Sequence, residues 1–307
     1  MKPAKARPSA LKYLRLVLAV AVFLLSLLAV VPAPNYLAWE LSILVTELGW
    51  IVALAALVVF LVGPRRSRVG RIATLLSGAA VILVLSPLVR ATRIARAVPG
   101  ELSTAFGDAP PKSLPGAPAR SKPFAALDLV IGLRKSHVRN DSMTFAVPTG
   151  KPLGLNLYRP LNYSGGALPL VVMIHGGSWR GGTRHDLDAL NSYLAARGYA
   201  VASISYRLAP QYHHPAPSED VSSAIRFLRS NAARLEIDPS RTVLIGRSAG
   251  AQLALLAAYT ATDPSIRGVI GLYAPSDQVF GYENPSNPHV PPTSPRPRPS
   301  PPHTRTG

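Results

Sequence analysis

Residues 242–250 read Thr-Val-Leu-Ile-Gly-Arg-Ser-Ala-Gly, and AQLALLAAY follows at 251–259. The first four residues predict a buried strand and the last nine predict a helix. Between them, Gly246 to Gly250 have the pattern Gly-x-Ser-x-Gly. In so tight a strand-to-helix turn, side chains two residues before and after the serine would collide, which explains the glycines. The pattern predicts a strained Ser248 with an exposed hydroxyl at a helix N-terminus. The alternative is a small-residue turn with a capping serine.

Short strands alternate with helices on both sides of this turn, which predicts a doubly wound, mostly parallel sheet with helices on both faces. Ser218 is predicted to cap one of the helices, and Gly198 to end another. The predicted strands are 143–147, 153–158, 170–174, 199–204, 242–245 and 268–272, and the predicted helices are 187–197, one that begins after Ser218, and 249–259.

A second glycine motif, His175-Gly176-Gly177, directly follows the apolar run 170–174. Acyl transfer creates an oxyanion that needs preorganised donors, and glycines let backbone N–H groups approach it. Gly176, Gly177 and Ala249 are therefore predicted to supply an oxyanion hole. His175 is predicted to fix the loop by hydrogen bonding rather than to act as a base. A phosphate cradle is the alternative, but the Lys-Ser/Thr of a P-loop is missing.

The chain resembles the α/β-hydrolase fold, in the hormone-sensitive-lipase-like and BD-FAE-like group of esterases. The resemblance covers about residues 155–282 and rests on HGGSWRGG at 175–182, RGYAVASISYRLAP at 197–210, EDVSSAIRFLRSNAARLEIDPSR at 219–241 and GRSAG at 246–250. It implies hydrolysis of carboxylic esters without a cofactor or metal, through a Ser–Asp/Glu–His triad. By this likeness Ser248 is the nucleophile, Gly176, Gly177 and Ala249 form the oxyanion hole, and His175, Gly246 and Gly250 support the two motifs.

The triad acid and histidine are not found. The family pattern places both after the nucleophile, at the ends of two further strands. Here Asp277 comes before the strand that should carry the acid, and His289 and His303 lie in or beside the tail 284–307, which is rich in proline and arginine. We therefore expect a partial hydrolase domain at 123–283 that lacks its C-terminal third and is inactive in this chain. The alternative is a non-catalytic remnant or binding protein.

Three apolar runs at 11–31, 41–62 and 72–89 predict a membrane domain at 1–96, because a spanning helix needs about 20 apolar residues. Basic residues precede the first run and fill the loop 63–71, so both segments are predicted to be cytoplasmic. Three spans then place the hydrolase domain outside the cytoplasm, anchored to the cell membrane. Residues 97–122, rich in proline and glycine, are predicted to be a linker.

The net charge of +18 comes mainly from the membrane flanks and the tail, so a nucleic-acid partner is not expected. The absence of cysteine excludes disulfides and thiolate chemistry. The expected partners are a small carboxylic ester and the lipid membrane. The sequence does not assign an oligomeric state.

Overall fold

The computed structural model describes residues 8–63, 65–107, 128, 132–260 and 263–277. They fall into two compact units, a helical unit with residues 8–107 and an α/β unit with residues 132–277. Each unit is described by itself.

Between residues 8 and 107, the described part of the helical unit forms four helices: α1 (Pro8–Leu27), α2 (Tyr36–Glu47), α3 (Gly49–Leu61) and α4 (Arg68–Phe106). The Asn35 side chain caps α2 by accepting a hydrogen bond from the N–H of Ala38, and Ser67 caps α4 in the same way through Gly70. By length and hydropathy, α1 and α4 can each cross a membrane, and the bent pair α2–α3 can count as a third crossing.

Three predicted boundaries were wrong. The predicted helix 41–62 is broken at Leu48 into α2 and α3, whose axes differ by 82°. The first helix ends at Leu27 rather than at residue 31. The third helix contains Pro87 and continues past residue 89, through Pro99, to Phe106. Residues 97–106 of the predicted linker are therefore helical. Each proline removes only one N–H donor, and the helix continues through both. Residues 108–127 of the linker and the tail 284–307 lie outside the described residues.

Buried Arg15 joins α1 to α3 and α4. Its guanidinium donates to the carbonyl oxygens of Val59 (2.9 Å) and Phe60 (3.1 Å) at the end of α3, and to Gly70 O (3.2 Å) and Thr74 Oγ1 (2.8 Å) at the start of α4. The beginning of α1, the end of α3 and the beginning of α4 therefore lie at the same end of the bundle. The chain leaves this end along α1, returns through α2 and α3, and leaves it again along α4.

The α/β unit is built on a six-stranded sheet with the order β1-β2-β4-β3-β5-β6. The first three strands in this order pair antiparallel, and the remaining pairs are parallel. The elements along the chain are β1 (Arg139–Ala146), β2 (Leu153–Arg159), β3 (Leu168–Ile174), α5 (Asp188–Ala195), β4 (Ala200–Ile204), α6 (Ala216–Ser230), α7 (Ala232–Leu235), β5 (Ile237–Arg247), α8 (Ala249–Thr260) and β6 (Ile266–Leu272).

Helices cover both faces of this sheet, as predicted. Side chains alternate along β3, so Leu170, Val172 and Ile174 join one core and Val171 and Met173 join another. The first core holds the buried faces of α6 and α8, and the second holds Ala195 of α5. The central strands are buried on both sides, which explains why they read as continuous apolar runs.

The predicted cap at Ser218 was wrong, and β6 forms one edge of the described sheet. Helix α6 begins at Ala216 after Pro215, so Ser218 lies inside its first turn and does not cap it. The buried Ser218 hydroxyl has no hydrogen-bond partner among the described residues. At the other end of the sheet, β6 pairs only with β5 among the described strands. Its side chains Ile270 and Leu272 are 48% and 38% exposed on the face away from α8.

Candidate active site

Ser248 lies alone between the end of β5 and the start of α8. Its φ of 52° is in the left-handed region, which is strained for a residue with a side chain. Its N–H donates to Leu272 O of β6 (2.9 Å), and its carbonyl oxygen accepts from Ala251 N (2.9 Å) and Gln252 N (3.1 Å). Both of its peptide groups are therefore held in place, which keeps the strained conformation and makes Ser248 the tip of a strand-to-helix elbow.

The glycines on either side of Ser248 are required by close backbone packing. A Cβ at Gly246 would overlap the carbonyl group of Gly250. A Cβ at Gly250 would overlap the carbonyl oxygens of Ile174 and His175 at the end of β3. The predicted reason for Gly-x-Ser-x-Gly is therefore confirmed, and α8 starts in direct contact with the loop that follows β3.

That loop brings Gly176 beside Ser248. A Cβ added to Gly176 would lie 3.3 Å from Ser248 Cβ and 2.8 Å from Arg247 O. Gly177 has a φ of +119°, which favours glycine, and its carbonyl oxygen accepts from Arg180 N and Gly181 N. Within the described part of the chain, the N–H groups of Gly176, Gly177 and Ala249 have no acceptor. Gly176 lies beside Ser248, Ala249 follows it in the chain, and Gly177 belongs to the same loop as Gly176. N–H groups without an acceptor are the kind of donor that an oxyanion requires.

His175 holds this loop, and among the described residues it makes no hydrogen bond to Ser248. Its ring is stacked on Tyr206 (centroids 4.3 Å apart), and its Nδ1–H donates to Gly176 O (2.8 Å). Its carbonyl oxygen accepts from the Tyr206 hydroxyl (3.0 Å). Burial of the ring lowers the pKa of His175, so the imidazole stays neutral near pH 7. Burial likewise raises the pKa of Tyr206, which keeps its hydroxyl protonated as a donor.

A partner histidine for Ser248 is absent from the part of the chain that the structure describes: none of its hydrogen bonds or ion pairs joins a histidine to this serine. Asp277 is exposed, and Asp220 is engaged by Arg207. His289 and His303 lie outside the described residues, so their roles are not tested. The described residues also contain no group of three or more His, Cys, Asp or Glu that could hold a metal ion.

Sequence reasoning missed the support beneath the site. Tyr206 follows β4, and the Nε–H of Arg207 donates to both carboxylate oxygens of buried Asp220 of α6 (2.9 and 2.8 Å). The backbone N–H of Arg207 donates to the same carboxylate. The pKa of Arg207 is raised, chiefly by its hydrogen bonds to Asp220. No local sequence pattern reveals this support, because it depends on β4 lying beside β3, with its carboxyl end next to the loop at His175.

Comparisons with known proteins agree with this geometry. Residues 155–282 match the family model described as BD-FAE. Carboxylesterase NlhH of Mycobacterium tuberculosis is 41% identical over 98 residues, 31% of this chain and 30% of that protein. Esterase LipQ of the same organism is 32% identical over 165 residues, 50% of this chain and 39% of that protein. The chain thus spans about a third of the length of these relatives.

The solved structure of a hyperthermophilic esterase from the archaeon Pyrobaculum calidifontis matches with a TM-score of 0.42 and 29% identity, over 52% of this chain and 53% of that one.

The mixed sheet, the helices on both its faces and the serine elbow after a parallel strand define the class of α/β-hydrolase folds. Together with the BD-FAE match and the esterase relatives, they assign the family. Residues 155–282 belong to the esterase and lipase family of α/β-hydrolases.

Proposed function

We propose that the α/β unit is the ester-hydrolysing part of a serine carboxylesterase, with Ser248 as nucleophile and Gly176, Gly177 and Ala249 as oxyanion hole. The observation that carries this proposal is the strained elbow: Ser248 has a φ of 52° and is packed against Gly176. The N–H groups of Gly176, Gly177 and Ala249 have no acceptor in the described residues. The family supports an ester as substrate.

In the proposed reaction, Ser248 Oγ bonds to the ester carbonyl carbon and loses its proton to a base. The carbonyl oxygen becomes an oxyanion that the three N–H groups stabilise. When the C–O bond to the alcohol breaks, the alcohol leaves with a proton and the acyl group remains on Ser248. Water then hydrolyses this acyl ester to a carboxylic acid and restores the serine. The described residues supply the nucleophile and the N–H donors for these steps, but no base beside Ser248.

The second candidate is a protein that binds esters without turning them over. The absence of a histidine partner for Ser248 among the described residues favours it. An elbow and oxyanion hole without a complete triad give about 10³–10⁴-fold acceleration over water. We therefore propose that this chain hydrolyses p-nitrophenyl esters negligibly compared with a complete esterase.

Labelling by a fluorophosphonate, which modifies activated serines, tests both candidates on the full chain in detergent. Label on Ser248, absent in Ser248→Ala, and ester turnover at the rate of a complete esterase would support the enzyme and refute the inactive form. Absence of both would leave the binding protein as the function.

We further propose that the helical unit anchors the protein in the cell membrane, with three crossings and a cytoplasmic N-terminus. The shared end of α1, α3 and α4 supports an odd number of crossings. Arg71 and Arg90 on α4 are about 28 Å apart at about 1.5 Å per residue, close to the roughly 30 Å of a bilayer core. Arg90, Arg93 and Arg96 would then contact lipid phosphates at the outer surface.

A reporter fused at about residue 120 tests this topology. Activity that requires export supports three crossings with the α/β unit outside. A reporter that is active only in the cytoplasm would leave an even number of crossings.

A further inference from the structure

Arg247 precedes the proposed nucleophile and shares its surroundings. The point where Gly176 would carry a Cβ lies 3.4 Å from Arg247 Nε and 3.3 Å from Ser248 Cβ. The guanidinium and the serine side chain therefore border the same small space beside the Gly176 loop. Arg247 is only partly buried, so solvent and small solutes reach it.

The charge of Arg247 is not neutralised by the protein. Several arginines of the α/β unit are ion-paired: Arg159 with Asp141 and Glu236, Arg207 with Asp220, and Arg229 with Asp263. Arg247, in contrast, has neither a carboxylate within ion-pair distance nor a hydrogen-bond acceptor among the residues that the structure describes. Its five N–H donors are thus available to an incoming group.

The other groups at this place add to the positive potential. The N–H groups of Gly176, Gly177 and Ala249 are donors and therefore cannot accept a hydrogen bond from Arg247. Helix α8 begins here without an acidic residue in its first turn. Both Arg247 and Asp186 act electrostatically on the ring of His175, with opposite sign. Asp186 accepts from Thr183 (2.8 Å) and does not pair with Arg247.

We propose that Arg247 is an anion-binding residue of this site, and that the unit selects esters with a carboxylate near the scissile carbonyl, such as monoesters of dicarboxylic acids. This inference rests on the proposed function of Ser248. A planar guanidinium binds a carboxylate through two parallel hydrogen bonds, which adds orientation to charge. A free carboxylate held there would fix the ester carbonyl relative to Ser248.

The test is a binding measurement that does not depend on turnover. The full chain with Ser248→Ala is titrated in detergent, by calorimetry, with monomethyl glutarate and with its uncharged counterpart dimethyl glutarate. We expect the monoester to bind at least about tenfold more tightly, since hydrogen bonds to charged groups contribute about 1.5–3 kcal/mol. Raising the salt concentration should reduce this preference.

Further variants identify the residue responsible. Adding Arg247→Gln should abolish the preference, and adding Arg247→Lys should keep the charge and part of the preference. Arg226→Gln is the matched control, because Arg226 is an exposed arginine of α6 that donates to Ser223, and it should change nothing. If inorganic phosphate at a similar concentration displaces the monoester, Arg247 binds anions in general. If phosphate does not displace it, Arg247 binds carboxylates selectively. Both results support an anion subsite.

Equal binding of the two esters, no binding of either, or a preference that survives both Arg247 variants would overturn the inference. Failure of the proposed function is seen separately, as absence of fluorophosphonate label on Ser248 in the unsubstituted chain.

Discussion

Gly250→Ala is the substitution that tests most directly whether the elbow and the Gly176 loop form one packed joint. The new Cβ would overlap the carbonyl oxygens of both Ile174 and His175. These are backbone atoms at the end of a central, fully buried strand, so they cannot turn away as a flexible side chain can. Overpacking of this kind costs about 1–3 kcal/mol, and we expect the upper end, about 3 kcal/mol.

For an α/β unit of this size, about 3 kcal/mol lowers the melting temperature by about 10 °C. Trp179 reports on this region, because its indole N–H donates to Gln252 on α8 (3.4 Å). The chain has three tryptophans, so substituting Trp39 and Trp50 by Phe leaves Trp179 as the only one. Thermal unfolding of the full chain in detergent, followed by its fluorescence, then reports on the α/β unit.

Gly268→Ala is the matched control, because a Cβ at Gly268 of β6 would meet no atom within 4 Å. We expect this variant to unfold within about 2 °C of the unsubstituted chain, since it removes only backbone freedom. If Gly250→Ala melts at the same temperature as Gly268→Ala, the two motifs are not packed as described and the reasoning about both glycines is wrong.

Three further predictions concern the same unit. Ser248→Gly should be more stable than Ser248→Ala by about 1 kcal/mol in denaturant unfolding, because only glycine relieves the left-handed strain; equal stabilities would contradict the strain. Asp220→Asn should lower the free energy of unfolding by about 3 kcal/mol, because it leaves Arg207 without its buried partner. Glu219→Gln, which removes an exposed carboxylate from the same cluster, should lower it by under about 1 kcal/mol. Because burial lowers the pKa of His175 below 6.5, the unfolded chain binds a proton that the folded one does not. Stability should therefore fall as the pH is lowered through about 6.5, with a smaller slope in His175→Gln, and an unchanged slope would remove His175 as the cause.

The sequence was most informative where local pattern and tertiary environment agree. Strands β3 and β5 were predictable because strands buried on both faces are continuously apolar. The elbow was predictable because its glycines avoid a steric overlap within one turn. The break at Leu48 was not predicted, because residues 41–62 were treated as one apolar run although Glu47 and Gly49 flank the break. The continuation of α4 through Pro99 was missed because the proline and glycine content of residues 97–122 was taken to indicate a linker.

In the candidate site, Ser248 and the two glycine motifs could be predicted from sequence, whereas their supports could not. The stacking of Tyr206 on His175 and the Arg207–Asp220 pair join residues from different elements, so no local pattern reveals them. They follow only from the neighbouring positions of β3 and β4 and from the direction of α6.

The contact of Gly250 with Ile174 and His175 has a consequence for protein engineering. Two segments more than 70 residues apart in the chain pack backbone against backbone, and this close packing is possible only because Gly250 has no side chain. A graft that transfers the serine elbow alone into another scaffold would bring a helix that fits no receiving loop. The smallest transferable module is the elbow together with the end of β3, and libraries that vary either segment should vary both at once.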